Sequence, residues 1–409
     1  MSAPKFKFEK KIFKKIVAFL LVLVILCGTF IFGYSYGQKG KSIFGLATGV
    51  TNTELGKPAG LDFSLYWQAW NKLKSDSVFN TDTQTMVNDS ISGLLSSVND
   101  PYTVFFTPAD NKLFQQDIQG QFDGIGLELV MKNGVPTVVA PLPDSPAAKA
   151  GLKAGDIILK VGEIKSSDIG FNDLINKIRG PKGTTVTLQI ARSGSDKPLT
   201  FSVIRDTITV RSVTWEEKNQ AGKNIMYVKV RQFGDDTDQL FADFADATIK
   251  ANPDGIVIDL RDDPGGYFES AIDLSSYFLD GGTVVKQQDK AGKIQDFSTT
   301  HAATLKNYKT VVLVNGGSAS ASEIFSGALQ DRKVAPLIGE KTFGKGSVQE
   351  LINLSNGSAV KITVAKWLTP NGRQINGVGN TPDIEVKPDD ANTTDPQLNR
   401  ALDYIVNGK

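Results

Sequence analysis

The stretch TVVLVNGGSASASEIFSGALQ, residues Thr310–Gln330, decides the fold of the second half of the chain. Its first five residues are β-branched or aliphatic and precede Asn-Gly-Gly, which predicts a buried strand over Thr310–Val314 that ends in a turn. From Glu323 onward, apolar residues recur at the spacing of one helical face. The stretch is therefore expected to fold as a strand, a tight turn and a helix.

Three serines separated by single alanines lie between this strand and this helix: Ser318, Ser320 and Ser322. At a helix N-terminus the backbone N–H groups lack partners, and the helix dipole favours negative charge. That environment suits an oxyanion forming on a substrate carbonyl. The pattern is equally typical of a serine-rich N-cap on an ordinary helix, so both interpretations stay open.

A serine nucleophile needs a base. The one histidine, His301, lies in a polar stretch with no acidic residue in clear register, and a Ser/His/Asp triad would have to use it. A lysine base requires a pKa lowered from ~10.4 to ~7–8, which costs about 4 kcal/mol of differential solvation. Lys345 lies between Gly344 and Gly346 in an apolar, β-rich segment, where backbone can pack closely around it. A glycine-flanked lysine is also common in surface loops.

Together, NGGSASASEI at residues 315–324 and TFGKGSVQ at residues 342–349 resemble the motifs of the C-terminal processing peptidases, the tail-specific Ser/Lys proteases. The resemblance implies Ser320 as nucleophile, Lys345 as general base 25 residues later, and Gln349 as the residue that supports the lysine. An ideal strand would hold Lys345 and Gln349 ~13 Å apart, so the glycines would have to bend the chain for them to meet.

The resemblance extends from about Leu61 to Pro388 and implies an α/β fold. The expected core is a mixed-sheet serine protease similar to crotonases and Clp proteases, with a small β-rich PDZ domain inserted. The chain is thus expected to divide into a helical part at 61–118, the PDZ domain at 119–206, the catalytic domain at 207–390 and a helical tail at 391–409. Residues 93–106 resemble the family's segment leading into the PDZ domain and are assigned no chemistry.

Residues 122–129, FDGIGLEL, resemble the carboxylate-binding loop of PDZ domains, in which backbone N–H groups bind a peptide C-terminus and the peptide extends the sheet. SPAAKAGLKAGD at 145–156 and IILKV at 157–161 follow in the positions of the PDZ pattern. The resemblance implies a peptide-binding loop made of four residues: Gly124, Ile125, Gly126 and Leu127. Its glycines let the backbone approach the carboxylate.

Residues Phe171–Arg179 are predicted to form the helix of the peptide groove, and Arg179 ends it. One interpretation of Arg179 is a cation that interacts with the dipole at a helix C-terminus. The other is a residue that couples peptide capture to the protease site, since the resemblance implies a gating PDZ domain.

The segment DLRDDPGG, residues 259–266, follows a predicted strand at Gly255–Leu260, with a further strand at Met226–Val230 and a helix at Phe241–Lys250 between them. The resemblance implies that Gly266 supplies one oxyanion-hole N–H and Ala321 the other. Gly265-Gly266 also fits an ordinary tight turn.

Asp262-Asp263 stands where the family pattern usually includes an asparagine, and negative charge near an oxyanion is expected to lower the rate. Residues 369–383 match the family's closing segment and are expected to lie under the site. Asp331 is interpreted as a helix-end or structural acid, and Glu323 as stabilising the first turn of its helix.

The N-terminus has the pattern of a membrane anchor. Residues 1–15 contain six lysines and one acid, and residues 16–36 then run without a charge, long enough for a helix to cross a ~30 Å hydrocarbon core. The core of a signal peptide is ~7–15 residues, so an uncleaved anchor is expected, with a cytoplasmic basic tail, a linker at 37–60 and an extracytoplasmic catalytic domain. Cys27 follows Leu26 rather than a small residue, which favours a plain membrane cysteine over lipoprotein processing.

The composition of the chain limits which partners, metals and cofactors it can be expected to bind. The 409 residues carry a formal net charge of +1, which argues against nucleic acid as the main partner. With one cysteine and one histidine, neither an internal disulfide nor a zinc site is expected, and no metal or cofactor is predicted. The resemblance implies protein or peptide substrates with free C-termini, and homo-oligomerisation is left open.

The sequence therefore predicts a membrane-anchored serine endopeptidase that recognises protein C-termini through its PDZ domain. Two alternatives stand beside it. One is a non-catalytic PDZ anchor on a decayed protease domain, against which the intact Ser320, Lys345 and Gln349 positions argue. The other is a Ser/Lys amidase acting on cell-wall or small-molecule amides, which would leave the PDZ loop without a role.

Overall fold

The computed structural model describes residues 56, 58, 60–80, 82–132, 134–389 and 394–408. The predicted basic tail and transmembrane segment, and most of the predicted linker, lie outside these residues. Within the described ranges, no helix combines the length and apolar character that a membrane crossing needs. The chain separates into two compact units, Met1–Asp82 and Thr83–Lys409.

In the first unit, the predicted helix is α1, Ser64–Asp76. Aromatic rings cluster along its first turns, and the centroids of Tyr66 and Trp67 lie 4.9 Å apart in an edge-to-face arrangement. A helix in this position agrees with the helical part expected at 61–118.

The second unit begins with short helices and a β-rich domain. In chain order its elements are α2 Thr83–Ser96, β1 Val104–Phe106, α3 Pro108–Ile118, β2 Gln121–Gly124, β3 Leu127–Lys132, β4 Val135–Pro141, α4 Pro146–Lys149, β5 Ile157–Val161, β6 Ile164–Lys165, α5 Phe171–Ile178, β7 Thr185–Ala191, β8 Leu199–Ile204 and β9 Asp206–Thr209.

The unit continues with alternating strands and helices. These are β10 Val213–Gln220, β11 Lys223–Val230, α6 Thr237–Ala251, β12 Gly255–Asp259, α7 Phe268–Ser276, β13 Thr283–Asp289, β14 Ile294–Ser298, β15 Thr310–Val314, α8 Ala321–Asp331, β16 Leu337–Gly339, β17 Ser347–Asn353, β18 Ala359–Leu368, β19 Ile384–Glu385 and α9 Pro396–Asn407. The predicted strands and the helix between residues 226 and 260 are confirmed as β11, α6 and β12, with α6 starting four residues earlier.

A six-stranded sheet with the order β10-β11-β12-β15-β16-β19 forms the centre of this second half. β10 and β11 are antiparallel, and the other neighbours are parallel. Parallel sheets are buried on both faces, which is why every residue of β12 and β15 is buried. Side chains of α6, α7 and α8 pack on one face of the sheet, and α9 packs on the other.

A salt-bridge network fixes the end of β12. Arg261 binds buried Asp259 through Nη2 at 2.6 Å, and its Nη1 binds Asp395 Oδ1, at the N-terminus of α9, at 2.8 Å. Tyr227 Oη also donates to Asp259 Oδ2, at 2.6 Å. The DLR part of the motif at 259–266 is therefore structural, and it holds the following loop in place.

A second sheet has the order β1-β18-β13-β14, with β17 paired to β18. β17 and β18 pair antiparallel with a register shift between Val348 and Gln349. Buried Trp367 on β18 donates from Nε1 to the carbonyl oxygen of Lys345 at 3.0 Å. This sheet therefore carries the segment that contains the predicted base.

The β-rich domain is built on the sheet β3-β4-β5-β7-β8, with α5 packed on it through Leu174 and Ile178. Buried Asp156 accepts two hydrogen bonds from the Arg192 guanidinium, at 2.7 and 2.8 Å, so this acid of the motif at 145–156 is structural. β2 pairs with β9, so the chain enters and leaves the domain through one two-stranded ribbon.

Candidate active site

The turn between β15 and α8 places the three serines in different environments. Ser318 and Ser322 are 0% exposed, and their hydroxyls donate to the carbonyl oxygens of Leu260 and Asp263 at 2.7 and 3.0 Å. Ser320 is partly exposed, and its hydroxyl donates no hydrogen bond to any described residue. Of the three hydroxyls, that of Ser320 alone is therefore available to a substrate.

The backbone of Ser320 is strained. The residue is the N-cap of α8 with φ 55° and ψ −114°, a combination that costs a non-glycine residue of order 1–3 kcal/mol. The helix begins at Ala321, two residues earlier than the apolar spacing indicates. Ser320 consequently stands at the tip of the turn rather than inside the first helical turn.

Glu323 ties this turn to the segment of the predicted base. Its carboxylate is 0% exposed and accepts hydrogen bonds from Ser320 N at 2.9 Å, Gly344 N at 2.7 Å and Lys345 N at 2.8 Å. Thr342 Oγ1 donates to the same carboxylate at 2.5 Å. Glu323 stabilises the first turn of α8, as predicted. The sequence did not indicate that it also joins residues 342–345 to Ser320.

Lys345 is partly buried, and its Nζ lies 5.0 Å from the centre of the Tyr102 ring. Burial lowers the pKa of Lys345, the ammonium of Lys361 lowers it further, and the carboxylates of Glu323 and Asp100 oppose both effects. Nζ makes no hydrogen bond or ion pair within the described part of the chain. A desolvated lysine of this kind suits a general base.

The glycines beside Lys345 are required by close backbone contacts. A Cβ added to Gly344, whose φ is +92°, would lie 3.0 Å from Gly379 N, and one added to Gly346 would lie 2.7 Å from Asn376 N. Asn380, in the same closing segment, donates from Nδ2 to the carbonyl oxygen of Glu323 at 2.8 Å. The predicted close packing around Lys345 is confirmed, and residues 376–380 lie under the site as expected.

Ser320, Lys345 and Gln349 do not form a continuous hydrogen-bonded chain in this structure. Ser320 Oγ and Lys345 Nζ are not hydrogen-bonded to each other. Gln349 Nε2 donates instead to Ser347 Oγ at 2.8 Å and to Thr363 Oγ1 at 3.2 Å. The three residues lie on adjoining segments of the backbone, but no hydrogen bond joins their side chains.

Two backbone N–H groups beside Ser320 suit an oxyanion hole. Neither Gly266 N nor Ala321 N has an acceptor among the residues that the structure describes. A Cβ added to Gly265 would lie 2.8 Å from both Ala321 N and Ser320 Cβ, so the loop lies directly against the nucleophile turn. The Gly-Gly pair is thus a tight turn that also allows this close approach.

The contacts of His301 within the described part of the chain are with Ala302, Asp273 and Tyr277 and not with Ser320 or Lys345, although the expectation that it lacks an acidic partner is wrong. Its Nε2 lies 3.6 Å from Asp273 Oδ1, and its ring packs edge-to-face on Tyr277 with centroids 4.4 Å apart. Asp273 belongs to α7. It lies far from His301 in the sequence, so the sequence does not indicate that the two side chains meet. These contacts make His301 part of the surface packing around α7. Asp331 is confirmed as a structural acid, because it binds Arg373.

The β-rich domain has an open groove of about 770 Å³ beside the predicted carboxylate loop. Gly124, Ile125, Gly126, Leu127 and Arg179 all line it. The N–H groups of Ile125 and Gly126 have no acceptor in the described part of the chain. A Cβ on Gly126 would lie 2.5 Å from Ser145 Cβ, so glycine is required there. The groove therefore presents backbone donors of the kind that bind a peptide carboxylate.

Arg179 follows the last residue of α5. Its guanidinium carbon lies 4.7 Å from the centre of the Phe122 ring, and Nη1 lies 3.7 Å from Asp117 Oδ1. Burial raises the pKa of Asp117, and the Arg179 guanidinium lowers it by less. Arg179 thus contacts the ribbon and the end of α3 in this structure.

The sequence did not indicate a second contact at the base of the ribbon. Gln232 Nε2 donates to the carbonyl oxygens of Asp117 and Ile118 at 3.1 and 3.2 Å. Its neighbour Phe233 donates from N to Gly265 O at 2.9 Å and accepts from Tyr267 N at 2.8 Å. Adjacent residues therefore contact the end of α3 and the loop that carries Gly266. A glutamine between two β-rich segments carries no pattern that predicts such a contact.

The fold and the site together define a serine hydrolase with a peptide-binding domain. A parallel sheet presents a strained serine with an available hydroxyl, two unoccupied N–H groups lie beside it, and a partly buried lysine is held by the same carboxylate. The β-rich domain adds a groove with carboxylate-binding donors.

Comparisons with known proteins agree with this class. The family model of peptidase family S41 matches residues 224–386, and a PDZ-domain model matches residues 137–192. The chain is 38% identical over 323 residues to the carboxy-terminal-processing protease of Bartonella bacilliformis, covering 78% of this chain and 73% of that one. It is 37% identical over 320 residues to the carboxy-terminal processing protease CtpA of Bacillus subtilis, covering 78% and 68%.

Among solved structures, the photosystem II D1 C-terminal processing protease is similar with a TM-score of 0.53 at 28% identity, covering 84% of this chain and 91% of that chain. The chain belongs to peptidase family S41, the C-terminal processing serine peptidases, and it carries a PDZ domain.

Proposed function

We propose that this chain is a membrane-anchored serine endopeptidase that binds protein C-termini in its PDZ groove and hydrolyses peptide bonds with Ser320 and Lys345. The observation that carries the proposal is the available Ser320 hydroxyl on a turn that Glu323 joins to the Lys345 segment. The partly buried ammonium and the two unoccupied N–H groups support the same assignment.

The proposed reaction needs two proton transfers. Neutral Lys345 takes the proton of Ser320 Oγ as the oxygen attacks the scissile carbonyl, and the N–H groups of Gly266 and Ala321 bind the oxyanion. Lys345 then gives its proton to the leaving amine. Water hydrolyses the acyl-enzyme, with Lys345 again as the base.

Reaching this state requires a rearrangement of side chains. The Tyr102 ring beside Lys345 Nζ favours the charged ammonium, because a cation is attracted to an aromatic face. Neither Ser320 nor Gln349 is hydrogen-bonded to Nζ. Hydrogen bonds of this kind are often long or unformed without substrate. We infer that the structure represents a resting arrangement and that substrate or peptide binding brings Lys345 to Ser320 and Gln349 to Lys345.

The contacts around the ribbon support a gating PDZ domain. Arg179 contacts Phe122 and Asp117. Gln232 is hydrogen-bonded to the end of α3, and the next residue, Phe233, is hydrogen-bonded to the loop that carries Gly266. A peptide in the groove would lie beside Arg179 and could shift these contacts. If the protein has a resting and an active state, a peptide shifts their populations only as far as it binds one state more tightly than the other.

Gating predicts an effect on kcat. A free apolar peptide with a terminal carboxylate should raise kcat on an unstructured protein substrate several-fold, and its amidated form should not, because the backbone donors bind the carboxylate. Arg179→Ala should abolish this response while peptide affinity changes by less than the activity does. The measurement is kcat against peptide concentration.

Lys177→Ala is the matched control, since Lys177 is another exposed cation in the last turn of α5. It should keep the response. If the PDZ domain only tethers the substrate, deleting it would raise KM and leave kcat nearly constant. A flat wild-type curve, or identical curves for wild type and Arg179→Ala, would reduce Arg179 to a helix-end charge.

The membrane anchor and the localisation are proposed from the sequence. The uncharged segment at 16–36 after six lysines supports a single-pass helix with a cytoplasmic N-terminus. The remaining chain would then lie outside the cytoplasm. The likeness of the core to crotonases and Clp proteases also remains a prediction, supported by the parallel strands β11, β12, β15 and β16 and the helices between them.

Protease added to intact cells or spheroplasts tests the topology. It should remove everything beyond roughly Gln38 and leave a short membrane-bound fragment, because the anchor shields the N-terminus. A full-size soluble protein with a new N-terminus after Tyr36 would instead identify the segment as a cleaved signal. A cytoplasmic marker protein that stays intact provides the control.

A further inference from the structure

Asp263 is a fully buried acid in the loop that carries Gly266. Its side chain is 0% exposed, and Oδ1 accepts a hydrogen bond from Gly265 N at 2.8 Å. Oδ2 is buried and has no hydrogen-bond partner among the described residues. An ionised carboxylate in such a place keeps too few hydrogen bonds to replace its hydration, so the neutral acid is favoured.

The groups around the carboxyl do not offset this burial. Gly265 N comes from its own loop, the Ser322 hydroxyl from α8 and the Lys229 ammonium from β11. Each of them lowers the pKa of Asp263, but burial outweighs them and raises it well above its ordinary value. The neighbouring Asp262 differs, because it is exposed and its Oδ1 accepts from Asn315 Nδ2 at 2.9 Å.

Asp263 also lies at the junction of the two halves of the site. Its carbonyl oxygen accepts from Ala319 N at 2.9 Å and from Ser322 Oγ at 3.0 Å, on either side of Ser320. Its carboxyl holds Gly265, next to the proposed oxyanion donor Gly266. A negative charge here would oppose the charge that develops on the substrate carbonyl oxygen.

We propose that Asp263 is kept as a neutral carboxylic acid that positions the oxyanion loop, and that its ionisation as the pH rises distorts the loop and lowers the rate of hydrolysis. In the pair that stands where the family pattern usually includes an asparagine, Asp263 would thus also be a neutral group. The effect on hydrolysis rests on the proposed function, whereas the protonation of Asp263 can be measured without it.

Equilibrium unfolding against pH tests the protonation. The folded chain would hold a proton that the unfolded chain loses above an ordinary aspartate pKa of ~3.9, so wild-type stability falls as pH rises. Asp263→Asn has no such proton. The ratio of the wild-type unfolding constant to that of Asp263→Asn should therefore rise with pH above ~3.9, by up to tenfold per pH unit, until the carboxyl of the folded chain also ionises.

Asp262→Asn is the matched control. The Asp262 side chain is exposed in the folded chain, so the corresponding ratio should stay constant as the pH rises. A constant ratio for Asp263→Asn as well would mean that Asp263 is ionised in the folded protein, and would overturn the proposal.

The pH profile of kcat/KM tests the positioning role. Ionisation of Asp263 should offset part of the rise in wild-type activity with pH that deprotonation of Lys345 causes, whereas Asp263→Asn should show the rise alone. The ratio of kcat/KM for Asp263→Asn to wild type should rise with pH, and the profile of Asp262→Asn should keep the shape of the wild-type profile. Parallel profiles for wild type and Asp263→Asn would overturn the positioning role. Absence of Ser320-dependent proteolysis in wild type would contradict the proposed function instead, while the unfolding ratio would still decide the protonation.

Discussion

Replacing Ser320 by alanine is expected to lower kcat by about 10⁴-fold or more, because the hydroxyl that attacks the carbonyl is lost while the oxyanion hole and the groove remain. The fold should persist. Ser320 Oγ donates no hydrogen bond to a described residue, and Glu323 N keeps the carbonyl oxygen of Ser320 as an acceptor at 2.9 Å, so the removal leaves no buried group unpaired. The measurement is cleavage of an unstructured protein with an apolar C-terminal tail, with the unfolding midpoint recorded for the same preparation.

Ser318→Ala and Ser322→Ala provide the controls. Each removes a buried hydroxyl that donates to a backbone carbonyl, so each should destabilise the protein by about 1–3 kcal/mol. Both keep the nucleophile and should retain measurable activity per folded molecule. Full activity in Ser320→Ala, or its loss only in a neighbouring serine variant, would refute the assignment.

Replacing Lys345 is expected to have the second-largest effect. Lys345→Met keeps most of the side-chain volume and removes the base, which should lower kcat by about 10²–10⁴-fold. Lys345→Arg should be as inactive, because a guanidinium stays protonated at any working pH. Single-turnover rates measure the step in which the base acts.

The pH dependence of the single-turnover rate shows whether the neutral or the charged form of Lys345 is active. Only the neutral amine accepts a proton, so the wild-type rate should rise with pH through the pKa of Lys345, which burial lowers. Lys341→Met, at an exposed lysine of the same segment, should keep this rise. Activity in Lys345→Arg, or loss of activity on replacing His301, would favour a histidine mechanism.

Local patterns predicted much of the fold. The apolar run at Thr310–Val314 can only be buried on both faces, and the glycines beside Lys345 indicated a close backbone approach that residues 376–379 supply. The sequence indicates such features because they depend on residues that are close together in the chain, or on a backbone conformation that requires glycine. The same is true of the peptide loop, where a Cβ at Gly126 would overlap Ser145.

Other features depend on contacts between segments far apart in the chain. Nothing in the sequence around Glu323 indicates that its carboxylate also binds the backbone at Gly344 and Lys345. Tyr102 belongs to a segment that was assigned no chemistry, yet its ring lies beside Lys345 Nζ. The residue type of Asp263 indicates a negative charge, whereas its complete burial follows from packing that the sequence does not indicate.

The most direct test of the account is the labelling of Ser320 by a phosphonate that reacts with activated serines. Labelling sites are identified by mass spectrometry, and the labelling rate is measured against pH in wild type and Lys345→Met. The account predicts modification at Ser320 and no labelling of Lys345→Met above background. It also predicts that the labelling rate of wild type rises with pH, with a midpoint below the pKa of an ordinary lysine. Modification of Ser318 or Ser322 instead, or an equal rate in Lys345→Met, would contradict it.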